Sequence, residues 1–283
     1  MAEAAAGSVI GFVGLGNIGK PMALRLAAAE ALDVHVYDVA PGPLAELEAA
    51  GAKVAGSVAD LAAAVDVLCV MVRDDDQVRA VLDEALTTAR GGLVVVVHST
   101  VAPGTPGELA DLAARSGVRL LDAPVSGGPM GAADGTLAIL VGGEDEAFAA
   151  ARPALEAMGT KVVHTGPVGS GTRFKLARNL MHFVSFTAAT EAQRLAEAAG
   201  LDLKALGDVV RHTDAITGGP GAIMHRETAA SIAPDDFWHG VFSHVAALGE
   251  KDLGFAVALA DELGVDVPLA RLAEQRLRKG LGL

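Results

Sequence analysis

The stretch GFVGLGNIGKPM, residues 11–22, constrains this fold more than any other. It carries Gly14, Gly16 and Gly19 at G-x-G-x-x-G spacing, directly after the apolar run SVIGFVG and at the start of a helical pattern. Pro21 falls in that helix's first turn, where a missing N–H costs nothing. Each glycine has a separate physical job: Gly14 makes the tight turn, Gly16 lets backbone approach a pyrophosphate, and Gly19 lets helix and strand pack closely. The helix start offers amide donors and a partial positive charge to an anion. The loop, with Leu15, Asn17 and Ile18 between its glycines, is therefore the expected dinucleotide cradle.

The next strand, DVHVYD, ends in Asp38. An acid there accepts hydrogen bonds from both adenosine ribose hydroxyls and repels a 2′-phosphate, which favours NAD over NADP. The competing reading of Asp38 is an ordinary polar residue opening the turn before APGP.

Up to about residue 165, short apolar runs alternate with Ala/Leu-rich helical stretches, the βαβ rhythm. SVIGFVG, DVHVYD, VDVLCVMV, GLVVVVHS and VRLLDAPV read as strands, with LAILVGG and KVVHTG as two later ones. Near-continuous apolar runs imply a parallel sheet covered on both faces. After Thr165 the strand rhythm stops, and residues 170–199 read as one long helix with Phe174, Ala177, Met181, Val184 and Ala188 as its inward stripe. The expected fold is α/β: an N-terminal Rossmann-type doubly wound parallel sheet, residues 1–166, and a C-terminal all-α domain, residues 167–283, joined by a long helix.

Charge narrows the partners. A formal charge of -13 without a basic run disfavours nucleic acid and acidic lipid. No apolar stretch is long enough to span a membrane and the start does not read as a signal peptide, so a cytoplasmic location is expected. The lone Cys69, inside VLCVMV, reads as a buried strand residue, and no metal site is expected.

A second glycine cluster, GPVGSGTRFKLARN at 166–179, delivers Lys175 and Asn179 one helical turn apart. Gly166, Gly169 and Gly171 leave the backbone before them open to a ligand. A helix start together with partial desolvation lowers a lysine pKa, so that Lys175 can shuttle protons. Taken alone, such a pair is more often a solvated face.

Four stretches change that weighting: GFVGLGNIGKPMALRL at 11–26, DAPVSGGPMGAADGTLAILVGG at 122–143, GPVGSGTRFKLARN at 166–179 and KDLGFA at 251–256. In this order, and spread over nearly the whole chain, they resemble the β-hydroxyacid dehydrogenases, typified by 3-hydroxyisobutyrate dehydrogenase. The resemblance implies hydride transfer between NAD and a short β-hydroxy acid or its semialdehyde. It implies that Lys175 is the catalytic lysine, that Asn179 helps hold substrate, and that Ser126, Gly127 and Gly128 bind its carboxylate. By the same likeness Lys251 reaches cofactor or substrate, and Met71, Val72 and Thr100 lie beside the cofactor.

The resemblance also implies a homodimer or homotetramer. Paired asparagines are frequent in the family where this chain has Arg178 and Asn179. His182 lies seven residues beyond Lys175, either touching substrate or filling space, and His98 reads as structural. Phe237, Trp238, His239 and Phe242 either shape a pocket or fill the helical core. Reductases of tartronate, succinic or glyoxylate-type semialdehydes and imine reductases share the architecture, although in the latter the catalytic lysine is replaced. The rival from another class is a non-catalytic NAD-binding sensor or assembly protein. A 6-phosphogluconate dehydrogenase needs a much larger helical domain than the stretch after Gly166 provides.

Overall fold

The computed structural model describes residues 8–283, and the chain divides into two compact units, one ending at Arg178 and the other starting at Asn179. In the first, strands β1 (Val9–Val13), β2 (Asp33–Tyr37), β3 (Lys53–Val54), β4 (Val67–Val70), β5 (Val94–Val97) and β6 (Arg119–Asp122) lie parallel in the order β3-β2-β1-β4-β5-β6. Helices α1 (Gly19–Ala27), α2 (Pro41–Ala49), α3 (Val58–Ala64), α4 (Asp75–Leu86) and α5 (Thr105–Ala114) connect them.

The two-residue period of the valine-rich strands sorts side chains between two cores. Val67, Cys69, Val94 and Val96 face a layer that includes Met22 and Leu26 of α1. Leu68, Val70, Val95 and Val97 face Leu61, Val78, Leu82 and Leu109 of α3, α4 and α5. This two-sided burial explains why β4 and β5 read as unbroken apolar runs.

Beyond β6 the sheet departs from the purely parallel expectation. Strands β7 (Val125–Ser126) and β8 (Ala138–Gly142) follow, with helix α6 (Gly128–Asp134) between them, and β8 runs antiparallel to both β6 and β7. The short connection through α6 returns the chain alongside itself. Helix α7 (Asp145–Met158) then leads to β9 (Lys161–Gly166), which pairs parallel to β8. The two-residue β3 is too short to leave a signal in the apolar pattern.

Helix α8 (Ser170–Ala198) matches the predicted long helix. Its burial does not match. Phe174 is 51% exposed and Val184 48%, whereas Lys175 is only 8% exposed. In the first turns of α8 the buried residues are those beside the end of the sheet, among them Thr172 and Lys175, so the apolar stripe there faces outward.

The second unit is all-helical: the rest of α8 with α9 (Leu203–Thr217), α10 (Phe237–Leu263) and α11 (Pro268–Gly280). Its small core joins Ile232, Phe242, Ala246 and Leu281, with Trp238 and Leu277 against them. Glu191 caps α11 by accepting the N–H groups of Leu269 and Ala270 at 2.8 and 2.9 Å. Helix α9 buries none of its residues, and Val209, Val210 and Ile216 stay exposed. Among the described residues no helix is long and apolar enough to cross a membrane.

Candidate active site

The glycine loop lies where the strand order reverses, beside the carboxyl ends of β1 and β4, the place at which open α/β sheets take ligands. Gly14 has φ +94°, and a Cβ there would stand 2.2 Å from the Met71 carbonyl oxygen. At Gly19 a Cβ would meet the Gly14 carbonyl oxygen at 1.9 Å, so α1 packs on the loop only without a side chain. Gly16 differs: a Cβ would find nothing within 4 Å, because its backbone borders open space. Two glycines thus close the turn and the third keeps its approach clear, which is what a bound pyrophosphate requires.

That space is a cleft of about 720 Å³ lined by Gly14, Gly16, Asn17, Ile18, Gly19, Asp38, Met71 and Val72. Of the residues of the first unit expected beside the cofactor, two do not line it. Leu15 turns its side chain into the core at 2% exposure, and Thr100 is exposed beyond β5. Leu15 contributes through its backbone instead: its N–H donates to Asp38 Oδ2 at 2.5 Å. The other Asp38 oxygen accepts the Ala40 N–H at 2.7 Å, which fixes the carboxylate at the cleft edge. Tyr37, Val39 and Arg73 also line the cleft, although the sequence reading did not single them out. Ser99 is a further omission. Its hydroxyl accepts the Val72 N–H at 2.9 Å and donates to the Val72 carbonyl at 2.7 Å, holding the segment after β4.

Asp122 organises the second cluster. It ends β6 fully buried, and its carboxylate accepts the N–H groups of Gly169 and Thr172, both at 2.6 Å. Burial pushes this carboxyl above the usual range while those amides pull it down. Gly171 completes the junction, since a Cβ there would stand 2.2 Å from the Leu140 carbonyl oxygen. The sheet end and the first turn of α8 are thereby locked together.

Lys175 projects one turn further along α8. Burial, and secondarily the charge of Arg178, pull its pKa down to about 8. Asn179 occupies the next turn of the helix.

Ser126 is half-buried at the end of β7, and Gly127 and Gly128 follow with φ +135° and +62°. Ser126 is only four residues beyond Asp122, so one buried carboxylate fixes the root of this segment and the root of the lysine helix. Lys251 is exposed on α10 and pairs with Asp252 at 3.2 Å. His98 is buried, with Nδ1 donating to the Ala123 carbonyl at 2.9 Å and burial lowering its pKa to about 4, as suits a structural residue. His182 packs on Phe183 and Phe186. Cys69 is buried, and its thiol is pushed up to about 12 by desolvation. Phe242 fills the helical core while Phe237 is 75% exposed.

A strand, glycine loop and helix bordering an open cleft, with an acid fixed at the end of the next strand, define an NAD-binding unit. Comparison with known proteins narrows the class. Residues 9–166 match the model of the NAD-binding domain of 6-phosphogluconate dehydrogenase, and residues 169–281 match that of the NAD-binding region of NADP-dependent 3-hydroxyisobutyrate dehydrogenase. The chain belongs to the 3-hydroxyisobutyrate dehydrogenase-like family of β-hydroxyacid dehydrogenases.

An uncharacterized oxidoreductase of Mycobacterium tuberculosis is 48% identical over 97% of this chain and 93% of its own length. The NAD-dependent L-serine dehydrogenase of Pseudomonas aeruginosa is 35% identical over 93% of this chain and 89% of its own. Among solved structures, a putative oxidoreductase from Mycobacterium avium superposes with a TM-score of 0.93 at 49% identity, covering 96% of this chain and 98% of that one.

Proposed function

We propose that this enzyme oxidises the β-hydroxyl of a short hydroxy acid of the 3-hydroxyisobutyrate type to the semialdehyde, or runs the reverse reduction, with Lys175 as acid and base. Bound NAD supplies the hydride acceptor, and the loop from Gly14 to Gly19 together with Asp38 would hold it. Lys175 takes the hydroxyl proton during oxidation and returns it during reduction. Asn179, one turn along the helix, orients the reacting oxygen.

The Ser126 hydroxyl and the backbone N–H groups of Gly127 and Gly128 hold the substrate carboxylate; glycine leaves those N–H groups unshielded, which suits an anion in a chain of charge -13. Lys251 and Thr100 are assigned to the site by family resemblance. Residues 1–166 form the dinucleotide domain of this reading and 167–283 the substrate and oligomerisation domain.

The observation that carries the proposal is the state of Lys175. An amine 8% exposed and held at about 8 supplies both neutral and charged forms near neutral pH, as proton transfer requires. The outward apolar residues of α9 support a homodimer or homotetramer, which light scattering of the purified chain measures directly.

The test is steady-state NADH formation with 3-hydroxyisobutyrate, L-serine, 3-hydroxypropionate, 4-hydroxybutyrate and glycerate, each with NAD and NADP. Turnover with a β-hydroxy acid that collapses in Lys175→Ala, with NADH affinity retained, supports the reading. NADH binding without turnover on any acid points instead to a sensor.

A further inference from the structure

Strand order puts the ends of β2 and β4 on opposite sides of the glycine loop that follows β1. Asp38 stands just past the first, and Arg73 just past the second. Both line the cleft, as does Glu84, whose carboxylate accepts the Val58 and Ala59 N–H groups at 3.0 and 3.2 Å. Among the described residues lining the cleft, Arg73 is the one cation, set against two carboxylates. In a chain of charge -13, a doubly charged pyrophosphate meets repulsion that the loop's backbone amides offset only in part. A single guanidinium placed here changes that balance.

The backbone at Arg73 is fixed beside the loop. A Cβ on Gly14 would stand 2.2 Å from the Met71 carbonyl oxygen and 3.0 Å from Val72 Cγ1, so the segment leading to Arg73 lies against the turn. Ser99 ties both backbone groups of Val72, and Gln77 Oε1 accepts the Arg73 N–H at 3.0 Å. The side chain is held more loosely. Its Nε donates to Asp74 Oδ2 at 3.2 Å with the arginine 81% exposed, and an ion pair so exposed adds little to stability. Asp74 uses its other oxygen to accept the Gln77 N–H at 2.9 Å and cap α4. A contact through Nε leaves the two terminal nitrogens of the fork available to an anion.

We propose that Arg73 binds the pyrophosphate of the cofactor through a bidentate, charge-assisted contact that supplements the glycine loop. This rests on the reading that the cofactor lies along the loop from Gly14 to Gly19, and it is independent of Lys175 and of which hydroxy acid is oxidised. Pyrophosphate is common to NAD and NADP. Arg73 therefore sets how tightly either is held, while Asp38 sets which is preferred.

The test is titration of wild type, Arg73→Gln and Arg73→Lys with NADH and NADPH by fluorescence, and with ADP-ribose by displacement of NADH, each at low and high salt. ADP-ribose carries the pyrophosphate without the nicotinamide. The expected result is a loss of affinity of about tenfold or more in Arg73→Gln at low salt, shared by NADH and ADP-ribose and shrinking at high salt. Arg73→Lys should recover part of it, because a point charge still attracts phosphate. Thermal melts of both variants should match wild type, since the residue is exposed.

NADH affinity unchanged in Arg73→Gln overturns the inference, and a loss confined to NADPH assigns the residue to the 2′-phosphate instead. A loss for NADH that ADP-ribose does not share moves Arg73 to the nicotinamide end and also overturns it. So does a loss that neither Arg73→Lys nor salt relieves, the mark of stacking on the adenine ring. Failure of the wild type to bind NADH removes the cleft reading together with the inference, whereas NADH binding indifferent to Arg73 removes the inference alone.

Discussion

The Asp122 carboxylate accepts the backbone N–H of Thr172 at 2.6 Å, so the end of β6 grips the helix that carries Lys175 three residues further on. The second oxygen accepts the Gly169 N–H at 2.6 Å. Bonds of this kind to a charged acceptor are each worth roughly 1.5–3 kcal/mol. Asp122→Asn keeps the shape but turns one acceptor into a donor facing an N–H. The expected outcome is a loss of about 2–3 kcal/mol and a Tm lower by roughly 5–10 °C. Turnover should fall further than the folded fraction does, because the amine is displaced, while NADH affinity stays near wild type. Calorimetry and single-turnover kinetics measure the two effects. Normal turnover in a destabilised variant limits Asp122 to a structural role.

Proton transfer at Lys175 has a defined sign. Oxidation needs the neutral amine, so kcat/KM for the hydroxy acid should climb about tenfold per pH unit at low pH and level off above about 8. Reduction needs the ammonium and should decline above the same point. Arg178→Gln removes the secondary cause of the depressed pKa, and the inflection moves upward. Burial, the larger cause, remains. Rate profiles in both directions, with a solvent isotope effect to isolate the proton step, check this. A flat oxidation profile between pH 6 and pH 9 is incompatible with Lys175 as the base.

Cofactor choice turns on one charge. Asp38 stands at the cleft edge with its oxygens steadied by Leu15 and Ala40 N–H groups. Asp38→Asn keeps one oxygen to accept from backbone, turns the other acceptor into a donor facing an N–H, and removes the negative charge that repels a 2′-phosphate. The ratio of kcat/KM for NAD over NADP should shrink by about tenfold or more, mostly through a gain with NADP. Kinetics with the two cofactors at fixed substrate give the ratio. No change in it means that discrimination lies elsewhere.

Much of the nucleotide unit was legible because local chemistry and tertiary role coincide in it. Gly14, Gly16 and Gly19 read as turn, approach and packing positions, and each has the surroundings its role demands. The valine runs of β4 and β5 read as two-sided burial because a parallel strand has no solvent face. Other features depended on partners far along the chain. Asp122 lies in the DAPVSGG stretch with no role that sequence discloses, since its contacts come from residues 47 and 50 positions away. An acid closing a parallel strand was the only hint.

The direction of β8 was hidden because apolar alternation is the same in parallel and antiparallel strands. The spacing of the apolar stripe of α8 predicts an inward face, yet periodicity fixes which residues share a face without saying which face is covered. Lys175 is buried and Phe174 exposed because the sheet end, which sequence spacing does not locate, lies on the lysine side. Leu15 shows a related limit: a loop position was legible, but whether it contributes backbone or side chain was not.

Gly16 and Gly19 make a closing contrast, because the same alanine substitution should fail in different ways three residues apart. At Gly19 the new methyl carbon would lie 1.9 Å from a backbone oxygen that the Gly14 turn holds in place, so α1 must shift off β1. Gly19→Ala should be strongly destabilised, by about 3 kcal/mol or more, and visible as lost soluble yield or a Tm lowered by roughly 6–12 °C. At Gly16 the methyl meets nothing within 4 Å and the residue does not adopt positive φ, so the apoprotein should fold with nearly unchanged Tm. What Gly16→Ala removes is the clearance the loop leaves for a pyrophosphate, and NADH affinity should fall about tenfold or more. Thermal melts and NADH fluorescence titrations on the two variants give the comparison. Wild-type NADH affinity in Gly16→Ala would mean that the cofactor does not approach the loop at this residue, and the cleft assignment would have to move with it.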